Sequence, residues 1–293
     1  MRPYLLLTIN LKLMEKILVT TDQSVNSKPA IRFAIKLAKQ RKAELIILHV
    51  YHLLKPFKWS EHAFAEYTDT FRKKTAEELT SFIAGIYHDI HESEINHQLV
   101  LVSNIDVVDG IMDYANKHNC SYICISTRGA GTLKKIFGTH TAKLISSSAV
   151  PVLCIPSSYH LKELTHILYA SDMTDYENEL KKVVDFARPI HASVAMMHIS
   201  YPYELALDKE LAEATLQEKA DFKVRLLTPR RDISHTLLED IEHAIKSDKP
   251  SVLVLFTHQS RSTFEKLFFP SNAEEYSFYG KIPLLTFNKT EGK

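Results

Sequence analysis

The sequence predicts an α/β protein: two tandem doubly wound domains, each a mostly parallel five-stranded sheet with helices on both faces. Three observations predict it. Short apolar, β-rich runs alternate with segments of helical period along the chain, which implies parallel strands joined by helical crossovers. The 293 residues suit two domains of about 150 residues. The pattern also occurs twice: Lys16-Ile17-Leu18-Val19-Thr20-Thr21-Asp22-Gln23-Ser24 matches His166-Ile167-Leu168-Tyr169-Ala170-Ser171-Asp172-Met173-Thr174 at an offset of 150, and residues 43–50 match 192–199 at 149. Later in each half the offset falls, to 130 for 122–127 against 252–257 and to 132 for 150–153 against 282–285. The second copy has therefore lost about 18–20 residues between its second and fourth strands.

The elements of the first copy follow in order. Residues 17–21 are a β-rich run. Residues 27–41 carry Ala30, Ile31, Ala34, Ile35, Leu37 and Ala38 on one helical face. Residues 45–50 are continuously apolar, as a strand buried on both faces requires. Residues 61–87 place Phe64, Tyr67, Phe71, Leu79, Phe82, Ile83 and Ile86 at three- and four-residue steps, a long helix whose stripe reads as core, with a lid or partner surface as the other reading. A strand is expected at 95–102, a helix at 105–118 with Ile105, Val108, Ile111, Met112 and Ala115 inward, a strand at 122–126, a helix from 138 to 147 and a strand at 150–155. The second copy repeats this plan: strand 166–171, helix 176–188, strand 192–199, helix 208–220, strand 222–227, helix 232–247 and strands 251–257 and 282–287. The polar join 157–160 separates a domain at 14–157 from one at 162–293, and 1–13 reads as an N-terminal extension.

Composition narrows the function. Hydrophobic residues are 45% and charged residues 24%, as in ordinary soluble domains. With 36 Lys and Arg against 35 Asp and Glu, the formal net charge of +1 gives no basic excess to draw the chain to nucleic acid or to an anionic membrane. Residues 1–13 lack a signal-peptide cleavage pattern, and no apolar run reaches the length of a membrane span. Cys120, Cys124 and Cys154 make neither a disulfide framework nor a zinc spacing and read as reduced core thiols of a cytoplasmic protein.

In a doubly wound sheet, ligands bind beyond the carboxyl ends of the strands. The informative segment there is 126–141, which holds Gly129, Gly131 and Gly138, three of the seven glycines in the chain. Glycines let backbone approach a ligand. Gly138-Thr139 opens a helix, whose free N–H groups favour an anion. The Thr139 hydroxyl and Lys134 or Lys135 add a donor and charge. The plainer reading is a strand-to-helix loop with cap chemistry from Thr139. Neither a P-loop nor a dinucleotide fingerprint is present.

The strand-one Asp22, the strand-two pair His49-Val50 and this Gly-rich loop before Ser147-Ser148-Ala149-Val150-Pro151-Val152-Leu153 resemble the universal stress protein family over almost all of 14–156. The resemblance implies a Rossmann-like fold, with the whole chain similar to tandem members and the two domains pairing through their last strands as a pseudo-dimer. It also implies an adenine-nucleotide site, for ATP or AMP with optional Mg2+. Asp22 and Val50 would face the adenine, and Ser126, Gly129, Gly131, Lys134, Gly138 and Thr139 would line the phosphate side. Two departures stand out: Ser126 replaces the first glycine of the family's G-x-x-G, and eight residues separate Gly129 from Gly138, one fewer than in the family pattern. The second copy retains no glycine over 258–270, where Phe269-Pro270 stand in place of Gly138-Thr139, so no ligand is expected there.

Other signals are weaker. His88 and His91 read as surface residues at a helix end rather than metal ligands, and His49 and His198 as packed residues rather than bases. The sequence assembles no Ser/His/Asp or Cys/His set. The expectation is a stress-related regulator that binds an adenine nucleotide without strong catalysis. The rivals are a nucleotide-free interaction protein with an unknown protein partner and a slow ATP hydrolase. A homodimer is an open alternative.

Overall fold

Strand β1 (Lys16–Thr20) alternates its side chains between two cores: Ile17 and Val19 enter one, Leu18 the other. All three are fully buried, because helices cover both faces of the sheet. The structure, a computed structural model, describes residues 14–127, 138–201, 208–232, 234, 237–257 and 281–288.

The first half continues through α1 (Lys28–Arg41), β2 (Glu44–Tyr51), α2 (Glu61–Asp89), β3 (His97–Ser103), α3 (Val107–Lys117), β4 (Tyr122–Ser126), α4 (Thr139–Ser147) and β5 (Val152–Ile155). The second runs β6 (His166–Ala170), α5 (Tyr176–Ala187), β7 (Ser193–Met197), α6 (Lys209–Ala220), β8 (Val224–Leu227), α7 (Leu237–Asp248), β9 (Val252–Thr257) and β10 (Leu284–Asn288). One ten-stranded sheet results, in the order β3-β2-β1-β4-β5-β10-β9-β6-β7-β8. All pairings within each half are parallel, and the order mirrors about the centre. The halves meet where β5 and β10 pair antiparallel, with Leu284 opposite Cys154, Leu285 opposite Leu153 and Thr286 opposite Val152. These are the two strands expected to pair. Helices α1, α2, α5 and α6 cover one face; α3, α4 and α7 cover the other.

The repeat is written in the backbone as well. Eight described non-glycine residues have positive φ, and they form four pairs: Gln23 and Met173, Lys42 and His191, His91 and Asp221, Asn119 and Lys249. Their offsets are 150, 149, 130 and 130. Each pair marks the same turn in both copies, although left-handed backbone is costly for side chains with a Cβ. The lost residues lie in the second helix, which has 29 residues in α2 and 12 in α6.

Arg41 joins the halves. Its side chain is 4% exposed and forms a bidentate pair with Glu15 at 2.5 and 2.8 Å. It also donates to the carbonyls of Phe186 and Asp185 and lies 5.2 Å from the ring centroids of Tyr122 and Phe186.

Several expectations need correction. Ile105 is 82% exposed rather than inward, because Asp106 caps α3 through the N–H groups of Val108 and Asp109 and the helix starts after it. The α2 stripe is core only in its second part. Leu79, Ile83 and Ile86 are buried, Phe64 and Phe71 are half-buried, and Tyr67 is 44% exposed against Trp59. The last strand of the second half starts at Leu284 rather than 282, and its second strand ends at Met197, before His198.

Candidate functional site

Strand order reverses at β1, with β2 on one side and β4 on the other. That is the switch point at which a doubly wound sheet opens a crevice beyond its carboxyl ends. Residues 21–27, the ends of β2 and β4 and the start of α4 lie on that side of the sheet.

Beyond β1, Thr21 is buried and its hydroxyl pairs with that of Ser27 at 2.8 Å. Gln23 turns into left-handed backbone (φ 60°) and donates its N–H to the Thr21 hydroxyl at 2.9 Å. Asp22 projects from this turn. It is exposed, and one carboxylate oxygen accepts from the Ser24 N–H at 3.0 Å. That contact fixes the turn. The second copy uses the same device, with Asp172 accepting from the Thr174 N–H and hydroxyl.

At the end of β2 the two residues of interest point to opposite faces. His49 turns its Nδ1 to the Thr21 carbonyl at 2.9 Å, and His198 does the same to the Ser171 carbonyl at 3.4 Å. Both tie the second strand's end to the first strand's turn, the packed role expected of them. Val50 faces the α3 side and packs against the second core. A methyl group on Gly110 would stand 3.1 Å from Val50 Cγ1 and 2.9 Å from Asn104 Cβ, so glycine at that position lets α3 seat against β2.

Ser126 ends β4 and is 7% exposed. Its hydroxyl donates to the Asn26 carbonyl at 2.6 Å, and its own carbonyl accepts from the Thr141 hydroxyl at 3.0 Å. The side chain that replaces the family glycine is thus turned inward and stitches β4 to the 25–27 turn, while the backbone carbonyl of the same residue holds α4. Gly138 donates its N–H to the Thr127 carbonyl at 2.7 Å, which closes the β4–α4 connection at its base.

Gly138, not Thr139, is the N-cap of α4. Its φ of −67° and ψ of 162° suit any residue, so its value lies in the absence of a side chain. No side chain among the described residues caps this helix, and Thr139 is exposed in its first turn. Farther along, the Lys143 ammonium lies 2.9 Å from both Asp106 and Asp109, and the hydrogen bonds to these carboxylates push its pKa up. The Lys143 hydrogen bond, with help from the Val108 and Asp109 N–H groups, holds Asp106 down at about 2. That cation is therefore committed to its own fold.

Asp22, Val50 and Ser126 stand at or just beyond the carboxyl ends of β1, β2 and β4, and Gly138 and Thr139 at the start of α4, whereas Gly129, Gly131 and Lys134 lie outside the described residues, as does 258–280 of the second copy. Sequence reasoning missed Asn26, Asn104, Gly110 and Thr141. Gly110 alone carried a signal, a glycine inside a helical run. No group of three or more metal-ligating side chains occurs among the described residues, and no described helix is long and apolar enough to cross a membrane.

The model of the Universal stress protein family matches residues 14–156. A stress response protein, NhaX of Bacillus subtilis (strain 168), is 28% identical over 163 residues, which span 48% of this chain and 97% of that protein. The crystal structure of a universal stress protein from Archaeoglobus fulgidus superposes with a TM-score of 0.68 over 94% of this chain and 98% of that one, at 17% identity. A functionally unknown protein from Pseudomonas aeruginosa PAO1 follows at a TM-score of 0.54, 15% identity, 94% of this chain and 93% of its own. The last two likenesses extend the fold across both halves. The chain belongs to the universal stress protein family through residues 14–156 and repeats that fold in a diverged second half.

Proposed function

We propose that the protein is a stress-related regulator that holds an adenine nucleotide, ATP or AMP, in the crevice of its first half without strong catalysis. The observation that carries this reading is the uncapped N-terminus of α4 at the switch point, with Gly138 as its cap. Free N–H groups and the helix dipole there suit a phosphate. Thr139 adds an exposed hydroxyl, and Gly129, Gly131 and Lys134 of the intervening segment would complete the phosphate side. Asp22 presents an exposed carboxylate beside β1, suited to a hydroxyl or amino donor of the nucleoside, and Val50 would offer an apolar contact to the base. Ser126 drops out of the proposed contacts, because its hydroxyl is spent on Asn26. Mg2+ would enter with the nucleotide's phosphates. The units would be 14–157 and 162–293, a cytoplasmic pseudo-dimer joined by β5 and β10.

One observation favours a second reading, a nucleotide-free interaction protein of the same fold. The inward Ser126 makes the mouth of the crevice a packed junction where the family pattern has glycine.

Calorimetric titration of ATP, with and without Mg2+, separates the two. One site per chain is expected. Gly138→Asp is expected to abolish it by placing a carboxylate among the N–H groups, while the same carboxylate caps α4 and leaves the protein equally stable or more stable by a few tenths of a kcal/mol. No heat, together with no thermal shift at millimolar ATP, would retire the nucleotide reading.

A further inference from the structure

The second half carries a second constellation, at the amino ends of its strands. His166 opens β6, Ser193 opens β7 and Asp248 closes α7. The Ser193 hydroxyl lies 2.9 Å from His166 Nδ1, and His166 Nε2 lies 2.5 Å from Asp248 Oδ2. The other Asp248 oxygen is taken by Arg225. The Asp248 side chain is 5% exposed and that of His166 18%, whereas Ser193 is exposed. All three line an open cavity of about 840 Å³, together with Arg188, Lys223 and Phe222.

We infer that Ser193, His166 and Asp248 form a nucleophile, base and orienting acid for hydrolysis of a small ester that bears an anionic group. A serine is activated when its hydroxyl meets a base that a third group orients. Here the carboxylate holds the proton on Nε2 and leaves Nδ1 as the acceptor for the serine. Arg225 fixes the carboxylate, so Asp248 has one oxygen to offer. In the reaction, the Ser193 oxygen bonds to the ester carbonyl carbon and its proton passes to His166 Nδ1. The carbonyl π pair becomes the oxyanion. Collapse breaks the bond to the leaving alcohol, which takes the proton from Nδ1. Water then attacks the acyl group by the same route, releases the acid and restores Ser193.

The cavity sets the substrate's charge. Arg188, Lys223 and Arg225 line it, and of these Arg225 is paired with Asp248 and Arg188 with Asp221. Lys223 is the group available to an oxyanion or an anionic substrate, because Arg188 and Arg225 are paired and the Ser193 N–H is spent on the Thr165 carbonyl at 2.9 Å. The same carbonyl lies 3.2 Å from the serine hydroxyl and competes for its proton, so a slow hydrolase is expected.

The test uses the full chain with diisopropyl fluorophosphate, followed by mass mapping. One label on Ser193 is expected, absent in Ser193→Ala and formed at least about 100-fold more slowly in His166→Gln. Mono-4-nitrophenyl succinate should be turned over at least tenfold faster than 4-nitrophenyl acetate, with the preference lost in Lys223→Ala. Ser193→Ala removes an exposed hydroxyl, so an unchanged melting curve keeps the comparison valid. Should His166→Gln fail to fold, His166→Asn takes its place, with the same slowing of labelling expected. No label on Ser193, or labelling indifferent to His166, would overturn the inference and leave the cluster as a clasp for a buried carboxylate.

Discussion

Replacing Arg41 with Met should loosen the whole molecule, not only α1. The substitution keeps an apolar side chain of similar length but removes the guanidinium, which lies 5.2 Å from the ring centroids of Tyr122 and Phe186. Breaking a buried ion pair costs about 3–5 kcal/mol. Glu15 is 26% exposed and recovers some water, which places the pair's loss near the lower end. The Phe186 and Asp185 carbonyls lose a charged donor, at about 0.5–1.5 kcal/mol each where water does not replace it. A total near 4 kcal/mol lowers the urea midpoint by about 1.3 M for a slope of about 3 kcal/mol/M. Far-UV circular dichroism against urea reads this directly. Glu15→Gln should cost less, and the double variant should show a coupling of about 1–3 kcal/mol. A midpoint moved by less than about 0.3 M, or strictly additive single effects, would show that Arg41 packs as a hydrocarbon and holds nothing together.

Gly110→Ala sets a clash against a propensity gain. The new methyl meets Asn104 Cβ at 2.9 Å, worth about 1–3 kcal/mol of overpacking, against about 1 kcal/mol gained in helix propensity. Net destabilisation of about 0–2 kcal/mol is expected in urea titration, with weaker ATP binding because Val50 must move. Asp106 has a folded pKa depressed to about 2 from 3.8, so its contribution is fully present above about pH 4 and is lost as pH falls towards 2. Urea midpoints across that window should fall less steeply in Asp106→Asn than in wild type. Burial pushes all three thiols up, that of Cys120 to about 11, so a disulfide reagent should modify none in the native state and three in urea.

Strands that are buried on both faces announce themselves as unbroken apolar runs, and these positioned the sheet and its repeat. Helix length was legible, but what a helix touches was not. The 29 residues of α2 extend about 43 Å, whereas the eight of β2 reach about 26 Å, so the first turns of α2 outrun the sheet that would bury their stripe. The turn after β1 and the start of α4 were legible at Asp22 and Gly138 because loop chemistry is local. Ser126 was assigned to the ligand side by position. Its hydroxyl goes instead to Asn26, a partner 100 residues away. His166 and Asp248, 82 residues apart, meet only once the second half has closed, and no spacing in the sequence announces that.

The antiparallel join of β5 to β10 has a consequence for behaviour on dilution. Two separate chains paired through such strands would part as their concentration falls. In this chain the partner strand is tethered, and the local concentration it experiences is set by the intervening polypeptide, in the millimolar range for short flexible connections. The sheet therefore exposes two edges, β3 and β8, where two unjoined five-stranded sheets would expose four. At trace abundance the join should persist, so the inner edges stay closed to foreign strands when few copies are present.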